Sequence, residues 1–229
     1  MSNANDAKRA VAFAAADLVQ SGTTIGFGSG STFLFVLERL AQRIRDEGLQ
    51  VRGAPTSNGT AEAARRLDIP LVTLDEVERL DLAIDGADEV DPNKHLIKGG
   101  GAAHTRERIV AATADELVVI VDDSKLVDVL GKAFRLPVEV LPFGWTHARR
   151  RVEATGCTTT LREKDGATLV TDNGNWILDC SYPDGIADPA ALAAQLDATV
   201  GVVDHGLFVG MTGRVLVADR ATGEVKTLS

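Results

Sequence analysis

The sequence predicts an α/β protein: a mostly parallel sheet domain joined to a second, smaller α+β domain. Three observations predict it. Apolar runs of strand length alternate with helical patterns from Thr23 to Val121, the rhythm of βα units. Those runs are unbroken, as in Leu117–Val121, which suits strands covered by helices on both faces. After about residue 130 the signals become short strands with hairpin turns, as in an antiparallel sheet.

Taken in order, the first element is an Ala-rich helix from Asp6 to Gln20, with Asn5 or Asp6 as N-cap and Gly22 as stop. Thr23–Phe27 reads as a buried strand leading into Gly28-Ser29-Gly30-Ser31-Thr32. The clearest helix follows. Phe33, Val36, Leu37, Leu40 and Ile44 share one face by their i, i+3, i+4, i+7 recurrence, and Gly48 ends it. Leu49–Ala54 reads as strand, Thr60–Leu67 as helix, and Leu71–Leu74, after Pro70, as strand. Leu82–Ile84 is a strand ending in the acidic run from Asp85 to Asp91. Lys98-Gly99-Gly100-Gly101 opens onto a helix over Ala103–Ala114, and Leu117–Val121 closes this part.

The second pattern begins with a strand at Leu136–Leu141, a basic helix at His147–Ala154 and a strand at Thr158–Arg162. Lys164-Asp165-Gly166 signals a hairpin into Thr168–Thr171, and Asp172-Asn173-Gly174-Asn175 turns the chain into Trp176–Cys180. Pro189 at N1 starts a helix over Ala190–Ala198, and Val200–Asp204 returns as strand. The order β-α-β-β-β-α-β is the split βαβ pattern with one extra strand. Val215–Ala218 and Val225–Leu228 read as a hairpin added back to the first domain. The expected domains are therefore 1–130 plus 209–229, and 131–208.

Composition narrows the function. Lys and Arg number 24 against 33 Asp and Glu, a formal charge of −9. A non-specific nucleic-acid binder needs a basic face to displace counterions, so no nucleic-acid partner is expected. An anionic small substrate stays open, because local cations and backbone N–H groups outweigh a global field at short range. With 45% hydrophobic and 25% charged residues the chain is neither disordered nor fibrous. Cys157 and Cys180 form no CxxC pair, which speaks against a disulfide scaffold and a zinc site and fits a reducing cytosol. The longest apolar run, Ala10–Ala16, falls far short of the ~20 residues that cross a bilayer, and the first residues lack a secretory pattern. A cytoplasmic protein with no membrane partner is expected.

Three loops carry candidate chemistry. Gly28–Thr32 joins a strand to a helix: its glycines admit a ligand close to the backbone, and its hydroxyls add donors, as a phosphate cradle requires. It is neither a Walker A loop nor a G-x-G-x-x-G fingerprint, so nucleotide hydrolysis and dinucleotide binding lose support. The competing reading is a plain turn with Ser31 or Thr32 as N-cap. In Asp85-Gly86-Ala87-Asp88-Glu89-Val90-Asp91, two carboxylates three residues apart can orient a polyol or hold a metal, although the EF-hand template is not met. In Lys98–Glu107, Gly99, Gly100 and Gly101 form a backbone anion nest, Lys98 supplies a cation, and Glu107 is a general-base candidate about one turn inside a helix. His104 reads as structural. His95, His147 and His205 form no metal-binding spacing, and no G-x-S-x-G elbow occurs.

Together the loops describe a sugar phosphate site with acid–base chemistry. At this point the chain closely resembles ribose-5-phosphate isomerase of type A. The resemblance rests on Gly28–Thr32, Thr56-Ser57, Asp85–Asp91 and Lys98–Glu107. It continues through Asp123-Ser124-Lys125, Leu136–Pro142, Val170–Asn175 and Gly206-Leu207-Phe208, nearly the whole chain. It implies a Rossmann-like sheet domain with a ferredoxin-like second domain, and interconversion of D-ribose 5-phosphate and D-ribulose 5-phosphate in the pentose phosphate pathway. It also implies no metal or other cofactor, and a homodimer or homotetramer. By matching motif, Glu107 would be the base moving a proton between C2 and C1. Asp85 and Asp88 would orient hydroxyls and assist ring opening, and Lys98 would stabilise the enediolate oxygen. Ser29, Gly30, Ser31 and Thr32 would grip the substrate, with Gly86, Ala87, Gly99, Gly100 and Gly101 lining it and Lys8 and Lys125 reaching it. Position 104 departs from the family's more usual apolar residue.

Two rivals are weaker. A sugar-phosphate-sensing domain of a regulator would need a DNA-binding segment and would be expected to have lost Glu107, which is present. Another phosphosugar isomerase or an amino-sugar phosphate deaminase would show a catalytic histidine pattern that this chain lacks.

Overall fold

A computed structural model describes residues 4–228. They form two compact units. The first comprises the chain to Ala87, Arg106–Lys125 and the chain from Met211; the second comprises Asp88–Thr105 and Leu126–Gly210. Residues 88–105 thus group with the second unit, where the sequence ranges placed them in the first.

Helix α1 (Ala4–Ala16) buries Ala7, Val11, Ala12, Ala15 and Ala16, a stripe of small side chains that lets it lie close on its neighbour. Asn5 and Asp6 lie within it rather than at its cap. Strand β1 (Thr23–Phe27) is buried from its second residue onward. Helix α2 (Ser31–Glu47) buries Phe33, Val36, Leu37 and Leu40, as the periodicity predicts, and ends at Gly48 in the left-handed conformation (φ 71°). Strand β2 (Val51–Pro55) and helix α3 (Asn58–Arg66) follow; Ser57 caps α3 by accepting from the Thr60 N–H. The expected strand at Leu71–Leu74 is reduced to a single bridge between Leu71 and Gly53. The Glu76 carboxylate accepts from the Thr73 N–H and hydroxyl, which turns the chain away from the sheet into a 3-10 turn over Leu74–Glu76. Those bonds hold the Glu76 carboxyl below its ordinary pKa.

Strands β3 (Leu82–Gly86), β4 (Glu89–Val90) and β5 (Leu96–Ile97) precede helix α4 (His104–Thr113) and strand β6 (Leu117–Asp122). In the second unit come β7 (Leu136–Val140), α5 (Trp145–Glu153), β8 (Thr158–Leu161), β9 (Glu163–Lys164), β10 (Ala167–Thr168) and β11 (Trp176–Ser181). They are followed by α6 (Pro189–Asp197), β12 (Val202–His205) and β13 (Leu207–Phe208); β14 (Arg214–Ala218) and β15 (Val225–Leu228) complete the first unit.

The first unit is built on a sheet ordered β15-β14-β6-β3-β1-β2, parallel throughout except for the β14–β15 hairpin, which joins it beside β6. Ile25 and Phe27 enter the core that α1 and α2 cover. Gly26 faces the opposite side, where a Cβ would stand 2.3 Å from the Val110 side chain, so α4 packs against the other face. Each large side chain buried this way contributes about 1.5–3 kcal/mol.

The second unit carries an antiparallel sheet ordered β12-β7-β11-β8 with helices α5 and α6, the fourth-first-third-second order of the split βαβ motif. The extra strand expected at Thr168–Thr171 is not part of it. Ala167–Thr168 pairs only with Glu163–Lys164 across the Asp165-Gly166 turn, whose φ values of 54° and 80° suit a type I′ hairpin. Thr171 instead closes a turn, its N–H donating to the Asn175 carbonyl at 2.9 Å. A further small sheet, β13-β5-β4, was not foreseen.

Candidate active site

In the first unit the candidate loop lies against the end of β3. Asp85 is buried there, and its Oδ1 accepts the Ser29 N–H at 3.0 Å and the Gly86 N–H at 2.7 Å. A Cβ on Gly28 would lie 2.3 Å from that oxygen, so only glycine lets the loop reach the carboxylate. The Ser29 hydroxyl sits 2.7 Å from Thr56 Oγ1 and donates to Ser57 Oγ at 3.0 Å, while Thr60 Oγ1 donates to the Gly28 carbonyl at 2.9 Å. Hydroxyls from the β2–α3 link and the first turn of α3 therefore brace the loop from behind.

Gly30, at φ 89°, is the N-cap of α2, and no side chain caps the helix. Ser31 and Thr32 consequently open the helix instead of capping it. Lys8 of α1 donates to Ser31 Oγ at 3.0 Å, placing a cation at the helix start. Lys125 ends the short turn after β6. Glu107 lies in the first turn of α4 and is only 6% exposed.

The second unit holds the rest of the set. Gly100 N–H donates to Asp88 Oδ2 at 2.7 Å, and a Cβ there would meet Asp88 Oδ1 at 2.6 Å. Gly99, at φ 101°, accepts from the Ala102 N–H at 3.0 Å. Beneath it lies fully buried His104, whose Nδ1 would be 2.6 Å from a Cβ on Gly99. His104 thus packs under the glycine turn. Gly101 is exposed at the crest.

Arg162 donates to the Gly99 and Gly100 carbonyls at 2.7 and 3.3 Å while paired with Asp179 of β11. This clamp was invisible in the sequence, since its two ends lie some sixty residues apart in the chain (|i−j| 63 and 62). Buried Lys98 donates its N–H to the Gly206 carbonyl at 2.9 Å, and its ammonium stands 5.5 Å from the Phe208 ring centroid. Glu89 has a different task from its acidic neighbours: it accepts the N–H groups of Gly131, Ala133 and Phe134 at 2.7, 3.2 and 2.7 Å and folds that loop. Asp91 likewise accepts from the Asn93 and His95 N–H groups, as an Asx turn does.

The sequence profile of ribose 5-phosphate isomerase A (phosphoriboisomerase A) matches residues 52–222. The chain belongs to the ribose-5-phosphate isomerase A family. That family interconverts ribose 5-phosphate and ribulose 5-phosphate. The chain is 53% identical over 220 residues to ribose-5-phosphate isomerase A of Synechococcus sp. (strain JA-3-3Ab), covering 95% of each. Its structure is similar to that of ribose 5-phosphate isomerase from Plasmodium falciparum, with a TM-score of 0.94, 40% identity and 97% of each chain covered. A D-ribose-5-phosphate isomerase structure in complex with phospho-erythronic acid aligns with a TM-score of 0.94 at 35% identity, covering 99% of each chain.

The family resemblance implies no metal, and one cluster bears on that point. Asp197, Asp204 and His205 bring ligand atoms within 4.8 Å of one another. His205 Nδ1 accepts the Leu207 N–H at 3.2 Å, so the neutral ring carries its proton on Nε2, 3.1 Å from Asp197. The Nε2 contact with Asp197 fastens α6 to β12, while Nδ1 takes the N–H of a residue two positions on. No helix among the described residues is long and apolar enough to cross a membrane.

Proposed function

We propose that this isomerase carries out the interconversion of D-ribose 5-phosphate and D-ribulose 5-phosphate with Glu107 as general base. The carrying observation is a nearly buried carboxylate, 6% exposed, in the first turn of a helix that follows a glycine nest. In the ring-opened aldose, Glu107 takes the C2 hydrogen as a proton. The C2 electron pair forms a C1–C2 double bond and the C1 carbonyl oxygen becomes anionic, a cis-enediolate. Lys98 neutralises that charge. Return of the proton to C1, with transfer of the O2 hydroxyl proton to O1, leaves the ketone at C2, so every atom is accounted for. Asp85 and Asp88 orient substrate hydroxyls and assist ring opening; the N–H bonds that hold each carboxylate support that role. Ser29, Gly30, Ser31 and Thr32 bind the substrate together with Gly86, Ala87, Gly99, Gly100 and Gly101. Lys8 and Lys125 add positive charge for the phosphate, a reading supported by the Lys8–Ser31 bond.

The chain is proposed to work in the cytoplasm, which its two buried, unpaired thiols favour, and as a homodimer or homotetramer, as the resemblance implies. The test compares the parent protein with Glu107→Gln, chelator present, measuring turnover and sugar-phosphate binding. The expected result is a chelator-indifferent parent and a variant that binds but turns over about 10³-fold slower or worse. A variant within about 10-fold of the parent would remove Glu107 from the base role. A parent that binds without turnover would promote the sensing-domain reading.

A further inference from the structure

Glu139 is a carboxylate in the middle of β7 with no solvent exposure, and the proposed chemistry does not use it. Among the described residues its partners are all neutral donors. Thr105 Oγ1 donates to Oε2, and Oε1 accepts from Thr171 Oγ1 at 2.9 Å, Asn173 Nδ2 at 3.2 Å and Asn175 Nδ2 at 2.8 Å. Having spent its hydrogen, the Thr171 hydroxyl accepts the backbone N–H groups of Asn173 and Asn175 at 3.3 and 3.1 Å. A charge buried among neutral groups is a poor device for stability, because well-packed apolar residues serve at least as well. What a carboxylate adds is direction. It only accepts, so it compels the Thr105 hydroxyl to donate and fixes that side chain.

We propose that Glu139 and Thr105 are positioning residues for the proton transfer, acting through helix α4. This rests on the reading of Glu107 as base. Thr105 stands in the first turn of α4, two residues before Glu107 on the same helix. The segment leading into that turn contains Gly99, Gly100 and Gly101, which have no Cβ to restrict the backbone, so the chain preceding the helix supplies little stiffness of its own. Anchoring Thr105 sets the start and rotation of the helix, and with it the direction of the Glu107 carboxylate. Displacements of about 1 Å in a reacting group cost up to about 10²-fold in rate. The same carboxylate pins the 171–175 turn through its other oxygen, and that is the part expected to be structural only.

The experiment separates the two ends of the network. Thr105→Val, Thr105→Ser, Thr171→Val and Glu107→Gln are compared by kcat, KM and melting temperature, each assayed well below its own melting point. Thr105→Val is expected to lose about 10- to 100-fold in kcat with KM changed less than about 3-fold, and Thr105→Ser to restore most of it. Thr171→Val is expected to lower the melting temperature while kcat stays within about 3-fold. Should Thr105→Val not fold, Glu139→Gln takes its place with the same expected loss, since it keeps the shape and removes the charge. Full kcat in Thr105→Val, or an equal loss in Thr171→Val, overturns the proposal. Full kcat in Glu107→Gln overturns the base assignment instead, so the two failures are told apart.

Discussion

Gly28 and Asp85 show how closely single residues are matched here. The carboxylate is held by the Ser29 and Gly86 N–H groups, and the first of these is available only because Gly28 has no Cβ. Adding one methyl group would press on both the Asp85 oxygen and the Ile84 carbonyl, at 2.3 and 2.6 Å. Gly28→Ala is therefore expected to cost about 1–3 kcal/mol of stability and to displace Asp85. Thermal melting would show the first effect, and a fall of about 10-fold or more in kcat/KM the second. A stable variant with unchanged kinetics would mean that the loop does not set Asp85.

At the scale of elements, termini are fixed by local chemistry that can be removed one group at a time. Asp188 caps α6 by accepting the Ala191 N–H at 2.9 Å, with Pro189 at the first helical position. Asp188→Ala should cost about 1 kcal/mol in chemical denaturation while kcat is unchanged, because α6 carries none of the proposed site. Elements such as α2, with an apolar face repeated over many residues, and β6, an unbroken apolar run, were legible from sequence. The strand expected at Leu71–Leu74 was not, because Glu76 captures Thr73 and ends the pairing after one bridge. The two-residue strands β4, β5 and β13 are too short to leave a period and exist through their partners alone. Thr171 looked like strand, but its hydroxyl is held by Glu139, 32 residues earlier.

For the whole molecule, the chain first leaves the first unit between Ala87 and Asp88 and first re-enters it between Thr105 and Arg106. Both crossings fall inside the motifs that carry the proposed chemistry. That explains why the motifs were readable while their supports were not. Asp85, Asp88, Lys98 and Glu107 lie in short contiguous blocks whose residue types state the chemistry. Arg162, Glu89 and Glu139 act on backbone or hydroxyl groups that lie 32 to 63 residues away, and nothing near them in sequence marks the pairing.

The central claim is that hydrogen moves between C2 and C1 as a proton carried by Glu107. The most direct measurement follows ribose 5-phosphate deuterated at C2 to its ribulose 5-phosphate product in ordinary water. A carboxylate base exchanges its proton with solvent during the life of the enediolate. The product should therefore lose much of the label to water, with the remainder at C1, and Glu107→Gln should abolish both transfer and wash-out. Complete retention of deuterium at C1 would indicate a hydride shift and contradict the account, as would wash-out at the parent rate in the variant.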